Sequence, residues 1–264
     1  MSGDKKPGEK RRLRDYRCGD GTWRPPRTEG LARVLSKAGY GARPRAELLV
    51  RSGRISVDGQ VELDPARPVD RDHELRLDEQ LLCEAPRRYL ALHKPRGVDC
   101  QERKHAGRWI GDYLPRDAVG LEPAGRLDTR ARGLLLVSND LGWNAAISGD
   151  PNLERRYEVV VSGQVSRMTL DVVSAGMNLP GQGNFRPQQV DLIVADEERS
   201  ILRLQVRGGH HRQLRTVFTM LRHEVQSIVR TGLGPVDLVS LAPGAWRQLE
   251  ARVIRQLARP CGKV

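Results

Sequence analysis

One carboxylate in this chain is held in place by what surrounds it. Gly125-Arg126-Leu127-Asp128 is followed, four residues on, by Gly133-Leu134-Leu135-Leu136-Val137-Ser138-Asn139-Asp140. Asp128 therefore lies in a turn, beside a cation and just before an apolar strand. An aspartate next to a guanidinium is ionised at neutral pH, which suits a nucleophile better than a general acid. The same residues also make an ordinary turn in which Asp hydrogen-bonds its own backbone. The tetrapeptide alone does not separate the two readings.

Charge narrows the choice of partner. The 264 residues carry 45 Lys and Arg against 33 Asp and Glu, a net charge of +12. That excess favours a polyanion, most simply nucleic acid, over an acidic membrane surface. A hydrophobic content of 38% over this length suffices for two compact cores, one small and one large. The chain has no run of about 18 apolar residues, and its Lys/Arg-rich N-terminus lacks an apolar stretch. Neither a transmembrane helix nor a secretory signal is expected, and a cytoplasmic location follows as the expectation.

Cys18, Cys83, Cys100 and Cys261 are scattered, without a C-x-x-C pair or a His at ligand spacing, so they read as reduced thiols. His210-His211 is the one adjacent pair, and neighbouring side chains on a strand or helix point different ways. No metal and no cofactor are expected.

Residues 1–28 combine Lys5-Lys6, Lys10-Arg11-Arg12, Arg14 and Pro25-Pro26, the composition of a disordered basic arm. Helical spacing begins at Leu31, Val34, Leu35 and Ala38, breaks at Gly39 and Gly41, and resumes at Ala46, Leu48, Leu49 and Val50. Ile55-Ser56-Val57 and Val61-Glu62-Leu63 then flank Asp58-Gly59, a hairpin signal because Gly tolerates the positive φ of a type I′ turn. Arg33, Lys37, Arg43, Arg45, Arg51 and Arg54 decorate this unit and supply phosphate-pairing groups at high density.

This module resembles the S4 RNA-binding domain: an apolar helix, a Gly, a basic second helix, and an apolar hairpin closed by Asp58-Gly59. Ala42 stands where that family often has Ser, and Asp58 where it usually has Asn; both keep the turn chemistry. The resemblance assigns residues 29–78 to RNA binding, with 79–88, which include Pro86, as a linker.

A second region starts at the strand-like Tyr89-Leu90-Ala91-Leu92 and is expected to run over 89–255, with a basic tail at 256–264. Its pattern predicts strands at 133–138, 157–163, 189–195, 200–207 and 225–231, and helices near 140–147, 166–175 and 211–222. Strands and helices mix without regular β-α-β alternation, so the fold class is α+β. No coiled-coil heptads occur, and a monomer is the default.

Four stretches of this region, in order, carry a further resemblance: His93-Lys94-Pro95-Arg96-Gly97, the Asp128 stretch, Arg155-Arg156-Tyr157-Glu158-Val159, and Gly208-Gly209-His210-His211-Arg212-Gln213-Leu214-Arg215. With the ending Leu241-Ala242-Pro243-Gly244-Ala245-Trp246-Arg247-Gln248-Leu249, they are similar to the small-subunit-type branch of bacterial ribosomal RNA pseudouridine synthases. The resemblance implies a mixed, mainly antiparallel sheet flanked by helices, and a uridine of ribosomal RNA, free or in an assembling subunit, as substrate. It implies that Asp128 is the catalytic aspartate, acting on base or sugar or by promoting elimination. It also implies that Tyr157 packs against the flipped uracil and can take the carbon 5 proton, and that Arg215 pairs with the aspartate. Lys94, Arg126 and Arg212 join the RNA-binding set, Lys94 and Arg126 either fastening RNA or buttressing the pocket.

Departures from the family pattern are Ala131 where Ser or Thr is usual, His210 where Arg or Lys is usual, and Val98-Asp99-Cys100 after Gly97. Thr129 is a candidate for the displaced hydroxyl. Two other functions fit parts of the pattern: a noncatalytic RNA-binding or ribosome-assembly factor on a synthase scaffold, and a metal-dependent nuclease using Asp128 and Asp140.

Overall fold

The computed structural model describes residues 22, 24, 25, 27–101, 107–115, 117–208 and 211–258, without the side chain of His211. Most of the expected basic arm at 1–28, residues 259–264 of the expected tail, and Gly209 and His210 lie outside the described residues. The chain divides into two compact units, Met1–Arg87 with Asp117–Gly120, and Arg88–Arg116 with Leu121–Val264.

The first unit runs β1 (Glu29–Gly30), α1 (Leu31–Lys37), α2 (Arg43–Arg51), β2 (Ile55–Val57), β3 (Gln60–Val61), β4 (Pro68–Val69), β5 (Leu75–Leu77) and β6 (Gln80–Leu81). The helical spacing read from the sequence buries Leu31, Val34 and Leu35 of α1 against Ala46 and Val50 of α2 and Ile55 and Val57 of β2. Strands β3-β2-β5-β6 form one sheet, and β1 pairs with β4. The β2–β3 turn is of the expected kind, with positive φ at Asp58 (52°) and Gly59 (80°). Asp58 also accepts a hydrogen bond from the Glu74 backbone N–H at 2.7 Å, so its carboxylate ties the hairpin to the chain entering β5.

Residues 79–87 of the stretch expected as a linker, 79–88, are instead built into this unit, and Arg88 opens the second. They include β6, and Leu82 and Ala85 are buried in its core, with the Ala85 N–H donating to the Ala38 carbonyl at 2.9 Å. The short Leu81-Leu82-Cys83 run and Ala85, set among charges and a proline, are too few to carry a periodicity, and tertiary burial reveals which of them are core.

The second unit contains β7 (Tyr89–Lys94), β8 (Glu122–Pro123), β9 (Arg132–Ser138), α3 (Leu141–Gly149), β10 (Glu154–Ser162), α4 (Arg167–Ala175), β11 (Met177–Leu179), β12 (Gly183–Phe185), β13 (Gln189–Ala195), β14 (Arg199–Arg207), α5 (His211–Met220), β15 (Val225–Leu233), β16 (Val236–Asp237), β17 (Trp246–Gln248) and α6 (Ala251–Leu257). The main sheet has the order β13-β14-β10-β15-β9-β7-β17, with β16 on β15 and β8 on β9. Every pair is antiparallel except β15–β9, which is parallel and joined only at Val229↔Arg132 and Arg230↔Gly133.

That junction needs Gly133. Its φ is +115°, and a Cβ there would stand 2.4 Å from the Arg230 carbonyl oxygen. Leu134, Leu135, Leu136 and Val137 of β9 are fully buried, as expected of a strand covered on both faces. α3 covers part of it: Asp140 caps the helix by accepting from the Trp143 N–H, and Trp143 meets Tyr89 edge-to-face at 5.1 Å. α6 extends to Leu257, which packs in this core, so residues 256–257 belong to the helix and not to the expected tail. Among the described residues no helix is long and apolar enough to cross a membrane.

Candidate active site

Asp128 occupies the turn between β8 and β9, and its two carboxylate oxygens have different surroundings. Oδ1 accepts the Ala131 N–H at 2.6 Å, the self-capped turn that the tetrapeptide can form. Oδ2 lies 4.0 Å from Nε of Arg215 on α5, with both side chains about a quarter exposed. Arg215 donates weakly through Nη1 to the Val225 carbonyl at 3.4 Å, while its Nε is buried without a hydrogen-bond partner. The guanidinium faces the carboxylate at ion-pair range without closing a hydrogen bond on it.

The turn is held from several directions. The Gly97 N–H donates to the Thr129 carbonyl at 2.7 Å, and the Cys100 thiol donates to the Leu127 carbonyl at 3.1 Å. Burial pushes that thiol's pKa up, so it stays protonated and able to donate. Lys94 is fully buried and donates to the carbonyls of Pro95 and Val98 at 3.0 and 2.7 Å. Of its two expected positions, at the RNA-facing surface or against the pocket's loops, its side chain takes the enclosed one. Burial pushes its pKa down, opposed by Cys100, Asp128 and Asp99.

Tyr157 is 2% exposed and lies in β10 between Leu204 of β14 and Arg230 of β15. It lines a cavity of about 370 Å³ together with Arg126, Ser148, Arg155, Arg212 and Arg230. Two of these arginines, Arg155 and Arg230, are not among the residues expected from the sequence. Arg155 shares a face of β10 with Tyr157 by strand alternation, and Arg230 is a lone charge within the apolar Ile228-Val229-Arg230 run; both signals were present. Arg230 is 3% exposed and donates through Nε to Leu134 O at 2.6 Å and through Nη1 to Arg126 O at 3.5 Å.

Asp140 does not join Asp128. Its carboxylate caps α3 and accepts the Tyr89 hydroxyl at 2.9 Å, which removes it from the paired-carboxylate arrangement of a nuclease. Among the described residues no group of three or more His, Cys, Asp or Glu side chains could hold a metal ion.

Residues 88–220 match the RNA pseudouridylate synthase family, and residues 29–75 match the S4 domain. An uncharacterized RNA pseudouridine synthase of Mycobacterium tuberculosis is 33% identical over 90% of this chain and 96% of its own length. The chain belongs to the RNA pseudouridylate synthase family.

As a pseudouridine synthase it is an isomerase acting on RNA, with an S4 domain ahead of the catalytic domain. Its relatives include the ribosomal large subunit pseudouridine synthase B of Bacillus subtilis, 28% identical over 87% of this chain and 95% of that protein. The ribosomal small subunit pseudouridine synthase A of Pseudomonas aeruginosa is 30% identical over 85% and 98%. The fold matches a crystal structure of a pseudouridylate synthase with a TM-score of 0.59, at 23% identity, covering 87% of this chain and 99% of that one.

The basic residues of the synthase's S4 domain differ in how they are held. Arg33 and Lys37 converge with Arg27 on the carboxylate of Glu29, which leaves an excess of positive charge there. Arg43 pairs with Glu47 at 3.2 Å, Arg45 is half-buried, and Arg51 is exposed. Arg54 is bound by two guanidinium nitrogens to Asp78, which offsets its charge. Arg126 and Arg212 are exposed at the cavity beside Tyr157.

Proposed function

We propose that this synthase isomerises a uridine of ribosomal RNA in the bacterial cytoplasm, with Asp128, Tyr157 and Arg215 carrying the chemistry. The observation that carries the reading is the divided environment of Asp128. One oxygen is fixed by the turn, and the other faces Arg215 in a setting with limited water access. A base inside folded RNA conceals its glycosidic bond, so the nucleotide must be extruded at a cost of a few kcal/mol. Stacking on an aromatic ring and contacts to phosphates offset that cost.

In this reading the flipped uracil packs against Tyr157, and Asp128 reacts with the nucleotide while Arg215 faces and orients the carboxylate. The S4 domain fastens the RNA through Arg33, Lys37, Arg43, Arg45 and Arg51, which pair with phosphates. Ribosomal RNA as the substrate is supported by relatives named for the large and the small ribosomal subunit.

Pseudouridine mapping of ribosomal RNA from cells with and without the protein, followed by rescue with wild type or Asp128→Asn, tests this. Loss of a site that only the wild type restores is the expected result. An unchanged ribosomal map would move the substrate to another RNA.

A further inference from the structure

The cavity beside Tyr157 has an electrostatic character that the uracil does not account for. Four arginines line it, Arg126, Arg155, Arg212 and Arg230, and among the described residues no acidic side chain does. Their burial is graded: Arg126 and Arg212 are exposed, Arg155 is half-buried, and Arg230 is 3% exposed. Among the described residues neither Arg155 nor Arg230 forms an ion pair. Arg155 donates to the carbonyls of Leu153 and Gly208 at 2.9 and 2.7 Å; burial lowers its pKa and Arg230 adds to that, while Tyr157 and Asp150 oppose it.

Arg230 is the decisive residue. Two of its nitrogens are engaged by the Leu134 and Arg126 carbonyls, while Nη2 is buried and has no hydrogen-bond partner. A buried guanidinium without a carboxylate is costly, and a buried donor without an acceptor adds to that cost. Both costs are removed by an anionic oxygen entering the cavity. A cavity of about 370 Å³ has room for a tetrahedral phosphate group, and planar guanidinium forks match its oxygens.

We propose that this cavity is a phosphodiester subsite in which Arg230 and Arg155 bind an RNA phosphate next to the flipped uridine. Arg126 and Arg212 guide the backbone in from the solvent side. Because Arg230 also grips the Arg126 carbonyl, two residues before Asp128, an occupied subsite fixes the phosphate and the catalytic turn relative to each other. The proposal rests on the RNA substrate of the preceding reading, but not on that RNA being ribosomal.

The test compares binding of uridine 5′-monophosphate and uridine to the full-length protein by isothermal titration calorimetry, for wild type, Arg155→Gln and Arg230→Gln. Thermal unfolding confirms that each variant is folded. The wild type is expected to bind the monophosphate more tightly by about tenfold or more, as one charge-assisted contact implies. In both variants the preference should shrink toward one, with uridine affinity little changed, and inorganic phosphate should compete with the monophosphate in the wild type only.

A purely structural Arg230 would lower the unfolding temperature of Arg230→Gln and leave the preference intact, which overturns the proposal. Equal binding of the two ligands to the wild type, or no saturable binding of the monophosphate, also overturns it. Should Arg230→Gln fail to fold, the preference in Arg155→Gln decides. An unchanged ribosomal pseudouridine map alongside a clear phosphate preference would refute the ribosomal substrate and leave the subsite standing.

Discussion

Oδ2 of Asp128 stands 4.0 Å from Nε of Arg215, while Oδ1 of the same carboxylate is fixed 2.6 Å from the Ala131 nitrogen. An amide at position 128 keeps an oxygen for the Ala131 N–H but loses the charge facing Arg215. Asp128→Asn is therefore expected to fold with stability within about 1 kcal/mol of wild type. It should retain RNA affinity and form no detectable pseudouridine. Turnover near the wild-type rate in a tritium-release assay would remove Asp128 from the chemistry.

Tyr157 separates ring from hydroxyl. Its ring is buried, so Tyr157→Phe preserves packing, whereas Tyr157→Ala should cost about 3–5 kcal/mol as a large-to-small core change. If the hydroxyl takes the carbon 5 proton, Tyr157→Phe loses about 10²-fold or more in turnover with its unfolding temperature unchanged. Full activity in the Phe variant would limit the residue to packing.

The S4 domain's contribution is legible in salt dependence. Replacing Arg33, Arg43 and Arg51 together with Gln should weaken RNA binding and flatten the slope of log K against log salt. The slope changes by about 0.7–0.9 for each phosphate that no longer has a cationic partner. An unchanged slope would take these side chains off the RNA.

Two carboxylates in the first unit should titrate low. The Arg54 guanidinium holds Asp78 below the usual aspartate range, and the backbone N–H of Asp64, followed by Arg67, does the same for Glu62. A depressed native pKa means that the unfolded chain binds protons more readily, so stability falls as pH falls. These contributions are complete above the unfolded values, near about 4, and are lost as pH drops through the native ones. Carboxyl carbon NMR should place the Asp78 midpoint below about 3.9, and a midpoint at or above that value contradicts the pairing.

Gly133→Ala places a methyl where the Arg230 backbone already lies and forces an alanine to a φ of +115°. A loss of about 1–3 kcal/mol or more is expected in urea unfolding. A wild-type midpoint would mean that β9 and β15 do not meet there.

The sequence by itself determined the elements, because the signals for them are local. The 133–138 strand appears as β9, the 189–195 strand as β13, and the Asp58-Gly59 turn takes the two positive φ angles that its residues favour. The motif resemblance also marked Asp128, Tyr157 and Arg215 individually. Tertiary structure alone decided which of the cations meet. Lys94 and Arg126 look equivalent as sequence, yet one is sealed into the 95–98 loop and the other stands exposed at the cavity.

Arg215 faces Asp128 from α5, and Arg230 reaches the carbonyls of Leu134 and Arg126 because β15 and β9 pair in parallel over two residues. Such pairing depends on long-range register and on a glycine that admits another backbone, neither of which leaves a periodic trace. Burial likewise belongs to the assembled sheet and helices: an arginine in an apolar strand is only a charge in the sequence, and becomes a buried donor once the strands around it close.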